Sequence, residues 1–203
     1  QAMGYDENVF KVMLVQFVSL KRDGEKVSMS TRSGEFETLA DVIKEVGVDA
    51  TRFFFLMRSS DTHLDFDLEL AKKASADNPV FYIQYAHARI CSIFRTATEQ
   101  GIKLLDSVDV DLSPLKNEEE FLMIKKILSF TEIIEKSAEL LEVHRVAFYL
   151  QDLVGTFHRY YSRNRIVSDD HALSFARLFL MNCLRITICN GLSIMGVSSP
   201  ERM

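Results

Sequence analysis

Proline is scarce, with three in 203 residues, while 47% of the chain is hydrophobic. Little interrupts helix formation and much is available to bury. The expectation is one helical domain with a smaller attachment, and a disordered tail is excluded. Cysteine is equally sparse. Cys91, Cys183 and Cys189 form no C-x-x-C pair and sit in no histidine cluster, so neither a zinc site nor a disulfide framework has support, and reduced, mostly buried thiols are expected. His63, His87, His144, His158 and His171 never approach metal-ligand spacing, and no metal site is expected. No serine sits in a Gly-x-Ser-x-Gly turn, and the run Glu118, Glu119, Glu120 reads as a solvated helix start rather than an acid–base pair. No run reaches the roughly 18 uninterrupted apolar residues of a membrane span, and the opening Gln-Ala-Met-Gly-Tyr has none of the zones of a signal peptide. A cytoplasmic location without a membrane partner follows as the expectation. Positive charge is also short: a net charge of −5 excludes a uniformly basic nucleic-acid binder. Any RNA contact must therefore be a local Lys/Arg patch, and DNA is not an expected partner.

What is present divides into two regions, 1–77 and 78–203, joined by a linker over 75–78. Across 10–30, the run KVMLVQFVSL, the turn around Asp23-Gly24 and then KVSMS predict two strands in a hairpin, and everything afterwards reads helical. Thr38 and Asp41 open a short helix through Val42, Ile43 and Val46 that Gly47 closes. Asp49 is expected to cap another, carrying Phe53, Phe54, Leu56 and Met57, and Asp67 a third. Asn78-Pro79 starts the second region, with Ile83, His87, Ile90, Phe94 and Ala97 at helical spacing. An acidic loop over 101–113 leads to Pro114 and a helix whose stripe is Ile124, Ile127, Leu128, Ile134, Ala138 and Leu141. The next stripe is Val146, Leu150, Leu153, Val154, Phe157 and Tyr161, and 172–194 is apolar on nearly every face, as in a helix buried among others. Antiparallel helices with short connections make a bundle.

Two stretches carry candidate chemistry. The loop Ser28-Met29-Ser30-Thr31-Arg32-Ser33-Gly34 follows a strand, and its hydroxyls, its arginine and upstream Lys26 suit phosphate oxygens; a plain surface turn has the same composition. The stretch His158-Arg159-Tyr160-Tyr161-Ser162-Arg163-Asn164-Arg165 interleaves rings with cations, with Arg159 and Arg163 four apart on one helical face. Unstacked RNA bases bind such surfaces, and a basic helix end that complements the helix dipole looks the same.

The order of the pieces resembles the class I aminoacyl-tRNA synthetases around their Lys-Met-Ser-Lys-Ser signature, and the arginyl-tRNA synthetase family in particular. The matching elements are Gln16-Phe17-Val18, Asp23-Gly24-Glu25, the segment from Gly34 to Leu39, Gly47-Val48-Asp49-Ala50-Thr51-Arg52, and Leu64-Asp65-Phe66-Asp67. Further on, NPVFYIQYAHARICSI, HRVAFYLQDLVGTFHRYY and the ending MGVSSPERM look like the family's anticodon-binding domain. The resemblance covers essentially the whole chain. It implies a mainly α fold: a small β-hairpin and short helices from the end of a class I catalytic region, then a helical-bundle anticodon-binding domain.

The resemblance also implies ATP with Mg2+ as cofactor, tRNA for arginine as partner, and arginine and ATP reached through an amino-terminal half. That half is expected upstream, because His-x-Gly-His is nowhere in the chain, no arginine pocket is apparent and no initiator methionine opens it. The fragment alone is expected to be inert and monomeric. At the signature itself the sequence reads Ser28-Met29-Ser30-Thr31-Arg32, so Ser28 and Thr31 stand where the family has lysines. The resemblance assigns this loop to the triphosphate, and Lys26 or Arg32, helped by Ser30, is the expected substitute cation. By the same resemblance Tyr85, Tyr161 and the terminal Met203 match positions that meet the anticodon loop, with Arg89, Arg159 and Arg163 as further tRNA contacts. Asp49 and Arg52 are expected to act structurally, as a cap and as a cation braced against a neighbouring loop. A freestanding helical tRNA-binding module, or a ligase for another amino acid such as cysteine, is the competing reading.

Overall fold

The computed structural model describes residues 4, 6, 11–27, 37–102 and 110–203. The hairpin forms as expected, though shorter: β1 (Val18–Arg22) and β2 (Glu25–Lys26) pair antiparallel. Asp23 and Gly24 both carry positive φ, 52° and 83°. Two left-handed turn residues match the twist of the flanking strands. A third strand, β3 (Leu64–Asp67), adds parallel to β1, setting Leu20 beside Phe66. The expectation that everything after the hairpin is helical is thus corrected. The LDFD alternation buries Leu64 and Phe66 and turns Asp65 outward, a period of two that a four-residue segment shows only weakly.

Three short helices flank this sheet. Helix α1 (Leu39–Val46) starts at a capping box between Thr38 and Asp41 and ends at Gly47. Helix α2 (Val48–Leu56) follows with Gly47 as its N-cap, so Asp49 lies inside the first turn and does not cap it. Asp67 caps α3 (Leu68–Lys72) by accepting from the Leu70 amide. Arg22 on β1 donates to Glu45 and Glu37, and this pairing holds the Glu45 carboxyl down at about 2.

Asn78 ties the junction together by hydrogen bonds. It is 4% exposed; its carboxamide oxygen caps α4 (Pro79–Glu99), and its Nδ2 donates to the carbonyls of Ala71 (2.9 Å) and Lys73 (3.0 Å). Asn78→Ala removes a cap and leaves buried carbonyls unpaired, so a loss of about 1–2 kcal/mol is expected. Urea denaturation of the purified protein measures it.

The bundle consists of α4, α5 (Glu118–Leu128), α6 (Phe130–Leu140), α7 (His144–Arg163) and α8 (His171–Ile194). The single helix expected after Pro114 is two, divided at Ser129, whose hydroxyl bonds back to the Lys126 carbonyl. Its expected stripe is only partly internal: Leu128 and Leu141 are 75% and 44% exposed and Ala138 is also exposed, while Ile124, Ile127 and Ile134 are half-buried. Helix α7 buries Val146, Leu150, Leu153, Val154 and Phe157 as expected, but Tyr160 completes the buried stripe and Tyr161, expected in it, is half-buried. Helix α8 is long and apolar enough to cross a membrane by length and composition, but Ala176, Leu180, Leu184 and Ile188 are buried in the bundle, with α4, α5 and α7 as neighbours. One hydrophobic core runs without a break from Leu20 on β1 to Val197 after α8.

Candidate nucleic-acid interface

Helix α4 places Phe81, Tyr85 and Arg89 at successive four-residue steps, which puts them on one face. Helix α7 crosses beside them and presents His158 and Tyr161 at a three-residue step. The Arg89 guanidinium lies 4.6 Å from the Tyr85 ring centre and 4.9 Å from that of Tyr161, bridging the two helices. It also donates to the Tyr85 hydroxyl. Phe81 stacks on Tyr85 at 6.1 Å and 8°, and His158 on Tyr85 at 6.0 Å and 19°. His158 meets Tyr82 at 4.4 Å as well. Burial pushes the His158 pKa down, with Arg89 adding to it, so the ring is neutral near pH 7. The outcome is a half-buried ridge of flat groups with one guanidinium set into it. Among the described residues Arg89, Arg159 and Arg165 have no carboxylate partner, which leaves local positive charge on an acidic chain.

The structure brings together Tyr85, Arg89 and Tyr161 of the sequence-derived set. Arg159 and Arg163 are not part of the ridge. They lie two positions either side of Tyr161, a rotation of roughly 200° about the helix axis, and emerge from its solvent side. Arg159 donates to Thr156 (3.3 Å) and Arg163 pairs with Glu119 (3.4 Å) at the start of α5. Met203 is 55% exposed at the end of a tail that runs along α4. Gln84 donates to the Ser198 carbonyl (3.0 Å), His87 Nδ1 meets the Pro200 carbonyl (3.0 Å), and Arg95 donates to the Glu201 carbonyl (3.2 Å). Lys26 is on β2, its side chain 62% exposed with Asp65 at 3.7 Å; Ser28, Met29, Ser30, Thr31 and Arg32 lie outside the described residues. Among the described residues no group of side chains has the makings of a metal site.

Three features went unread in the sequence. Phe81 belongs to the ridge, and the four-residue spacing in FYIQYAHAR was the available signal; His158, already part of the ring-and-cation stretch over 158–165, joins it. Asp49 does not cap α2 but reaches the far end of the chain, accepting from the Ser198 amide (3.1 Å), the Ser198 hydroxyl and Gln84 Nε2 (2.8 Å). Arg52 donates to the Met195 carbonyl (3.2 Å) and packs over Gly196, whose φ of +65° and lack of a side chain let the guanidinium approach. Arg52 is thus a brace, but against the end of α8 and not against the neighbouring loop that was expected. Third, Glu120 is fully buried rather than solvated. It accepts from Tyr160 Oη (2.6 Å), Arg177 Nε (2.8 Å) and the Asn117 amide (3.0 Å). The Tyr160 and Arg177 contacts span 40 and 57 positions, and no local pattern announces them; the Asn117 contact is a capping box three residues long.

Residues 83–203, which hold nearly all of this five-helix bundle and most of its ridge, match the family described as the DALR anticodon binding domain. The chain belongs to that family. Over its whole length it is similar to arginine–tRNA ligases. It is 52% identical to that of Syntrophotalea carbinolica over 98% of the chain, and 54% identical to that of Geobacter sp. strain M21 over 100%. The chain spans 36% and 37% of the length of those relatives, corresponding to their carboxy-terminal part. Two solved structures agree. A Campylobacter jejuni arginyl-tRNA synthetase superposes with a TM-score of 0.86 at 33% identity, over 99% of this chain and 43% of that one. The Thermus thermophilus arginyl-tRNA synthetase gives 0.69 at 25%, over 91% and 34%.

Proposed function

We propose that this chain supplies anticodon recognition to an enzyme that attaches arginine to tRNA at the expense of ATP, acting as a cytoplasmic monomer. The observation that carries this reading is Arg89 held between the Tyr85 and Tyr161 rings on the DALR domain. Rings and a planar cation fixed by packed helices offer stacking surfaces without an ordering cost on binding. Each stacked base contributes about 1–3 kcal/mol, enough for a small patch to outweigh an unfavourable net charge.

The β1–β2 hairpin leads into the ATP-contacting signature loop. ATP with Mg2+, when bound, supplies the adenylyl group that activates the arginine carboxylate. Within this chain Lys26, Ser30 and Arg32 furnish positive charge and hydroxyl donors against the phosphates, standing in for the absent signature lysines. The Lys26 ammonium suits the role because its contact with Asp65 is long and its side chain exposed.

Titrating the full-length protein with arginine tRNA transcripts at two salt concentrations tests the reading. The unaltered transcript should bind tightly, and changing the central anticodon base should weaken binding tenfold or more. The salt slope should correspond to only a few phosphates, since the patch is small. Equal affinity for all anticodon variants would overturn it.

A further inference from the structure

We propose that Cys91 and Cys189 are a redox pair: oxidation joins them in a disulfide across the α4–α8 seam, loosens the carboxy-terminal tail and so weakens RNA binding. The last step rests on the tRNA-binding reading above, whereas the disulfide and the loosened tail do not.

The two helices run antiparallel along this seam. Gln84, near the start of α4, holds Ser198 just past the end of α8, while Arg185, one turn before Cys189, lies 6.0 Å from the ring of Phe94, three residues past Cys91. Cys189 is thereby set opposite Cys91. Facing positions on packed helices, with axes about 8–10 Å apart and Cα atoms about 2.3 Å off each axis, come within the Cα separation of about 4.4–6.8 Å that a disulfide spans. Each thiol also meets the tail, at adjoining residues. Ser199 Oγ donates to Cys189 Sγ (3.4 Å), and His87 Nδ1 lies 3.0 Å from the Pro200 carbonyl and 3.8 Å from Cys91 Sγ. The tail crosses the seam at the pair.

The two thiols differ as a sensing pair requires. Cys189 is half-buried and open to a small oxidant, whereas Cys91 is 8% exposed. Burial pushes the Cys91 thiol up, with Glu201 and Cys189 adding to the effect and Arg185 and Arg95 opposing it. Cys91 therefore stays a thiol while Cys189 reacts first. With hydrogen peroxide as oxidant, the Cys189 sulfur attacks one peroxide oxygen and the O–O bond breaks; the departing hydroxide takes the Cys189 proton and leaves as water. The Cys91 sulfur then attacks the sulfenic sulfur, forming the S–S bond and breaking the S–O bond. That second hydroxide takes the Cys91 proton, so two thiols and one peroxide yield one disulfide and two waters.

The tail seat is built to give way. A carbonyl only accepts, so His87 Nδ1 carries the proton offered to Pro200 and Nε2 holds the lone pair. That Nε2 is buried in a residue 3% exposed and has no hydrogen-bond partner among the described residues. An unpaired buried acceptor weakens the seat. Forming the disulfide closes the seam beneath Ser199 and takes Cys189 Sγ from its hydroxyl. The tail keeps its outer ties, Ser198 to Asp49 and Glu201 to Arg95, but loses its middle. Helix α4 bears the tail through Gln84, His87 and Arg95 and the ridge through Phe81, Tyr85 and Arg89. A loosened tail reaches RNA binding through the helix they share.

The test treats the full-length protein with hydrogen peroxide, maps its peptides, follows hydrogen exchange over 198–203 and measures affinity for an arginine tRNA transcript. Cys91 and Cys189 peptides should be recovered linked, while Cys183, in the apolar cleft against α5, stays out of the link. Exchange in the tail should rise and tRNA affinity should fall threefold or more. Dithiothreitol should restore all three readings, which separates the disulfide from methionine sulfoxides. Neither Cys189→Ser nor Cys91→Ala should respond. Oxidised protein without the linked peptide overturns the proposal, as does a linked protein whose tail exchange and affinity are unchanged, or a reversible loss of affinity that persists in both variants. Reduced protein that binds no tRNA would instead remove the reading above, and a linked peptide with a loosened tail would still uphold the pair.

Discussion

Glu120→Ala should cost the fold about 3–5 kcal/mol, because it strips a buried cation of its partner. Glu120 is fully buried, and Arg177 is 14% exposed against it. Among the described residues, the alanine variant leaves the Arg177 guanidinium with the Arg165 carbonyl as its hydrogen-bond acceptor and leaves the Tyr160 hydroxyl without one. The pH dependence follows from the same contacts. Burial alone would raise the Glu120 pKa, but hydrogen bonds from Tyr160, the Asn117 amide and Arg177 together outweigh it, so the carboxyl titrates below its ordinary value. A carboxyl with a depressed folded-state pKa contributes stability that is fully present above the ordinary carboxylate range and is lost as pH falls through the folded value. Burial and the adjacent carboxylate also raise the Tyr160 pKa, which keeps the hydroxyl a donor at neutral pH. Denaturant titrations of both proteins at neutral and acid pH measure the effect: the gap should be widest near neutrality and narrow on acidification. A variant as stable as its parent at pH 7 would show that the cluster does not hold α5, α7 and α8 together.

Tyr161→Ala should weaken tRNA binding by about 1–3 kcal/mol, or roughly 5- to 150-fold, with most of the loss in dissociation rate. The ring is one of two that hold the Arg89 guanidinium, at 4.9 Å. Its removal should therefore take both a stacking surface and the rigidity of the arginine. Tyr161→Phe is the internal control: the Tyr161 hydroxyl makes no hydrogen bond among the described residues, so the phenylalanine variant should bind nearly as the parent does. Tyr85→Phe should sit between them, because it keeps the ring yet loses the bond from Arg89. Filter binding of arginine tRNA to the full-length variants measures the order. Intact affinity in a folded Tyr161→Ala protein would remove the ridge from the interface.

Much of the fold was legible because its signals are local. Thr38 with Asp41, Asp67 and Asn78-Pro79 each satisfy amides within three residues, and each starts a helix where expected. The Asp23-Gly24 turn needs only two left-handed residues. Signals failed where a longer-range competitor acted. Strand β3 exists because β1 offers it an edge, Asp49 faces a tail 149 positions away, and the helix expected through 118–141 breaks at a serine whose bond to its own turn competes with helix continuation. Within the candidate site, Tyr85 and Tyr161 were legible by resemblance. That Arg159 and Arg163 leave the ridge followed only once the core had set the rotation of α7.

What the sequence determined by itself is therefore most of the helices, the starts of those with a side-chain cap and the kind of chemistry available, since caps, turns and apolar periods act within a few residues. Only the tertiary structure decided which cation lies between which rings and which glutamate of the Glu118–Glu120 run is buried. Those depend on the angle and rotation at which α4, α5, α7 and α8 pack, and one residue of slippage along a helix turns every side chain by about 100°.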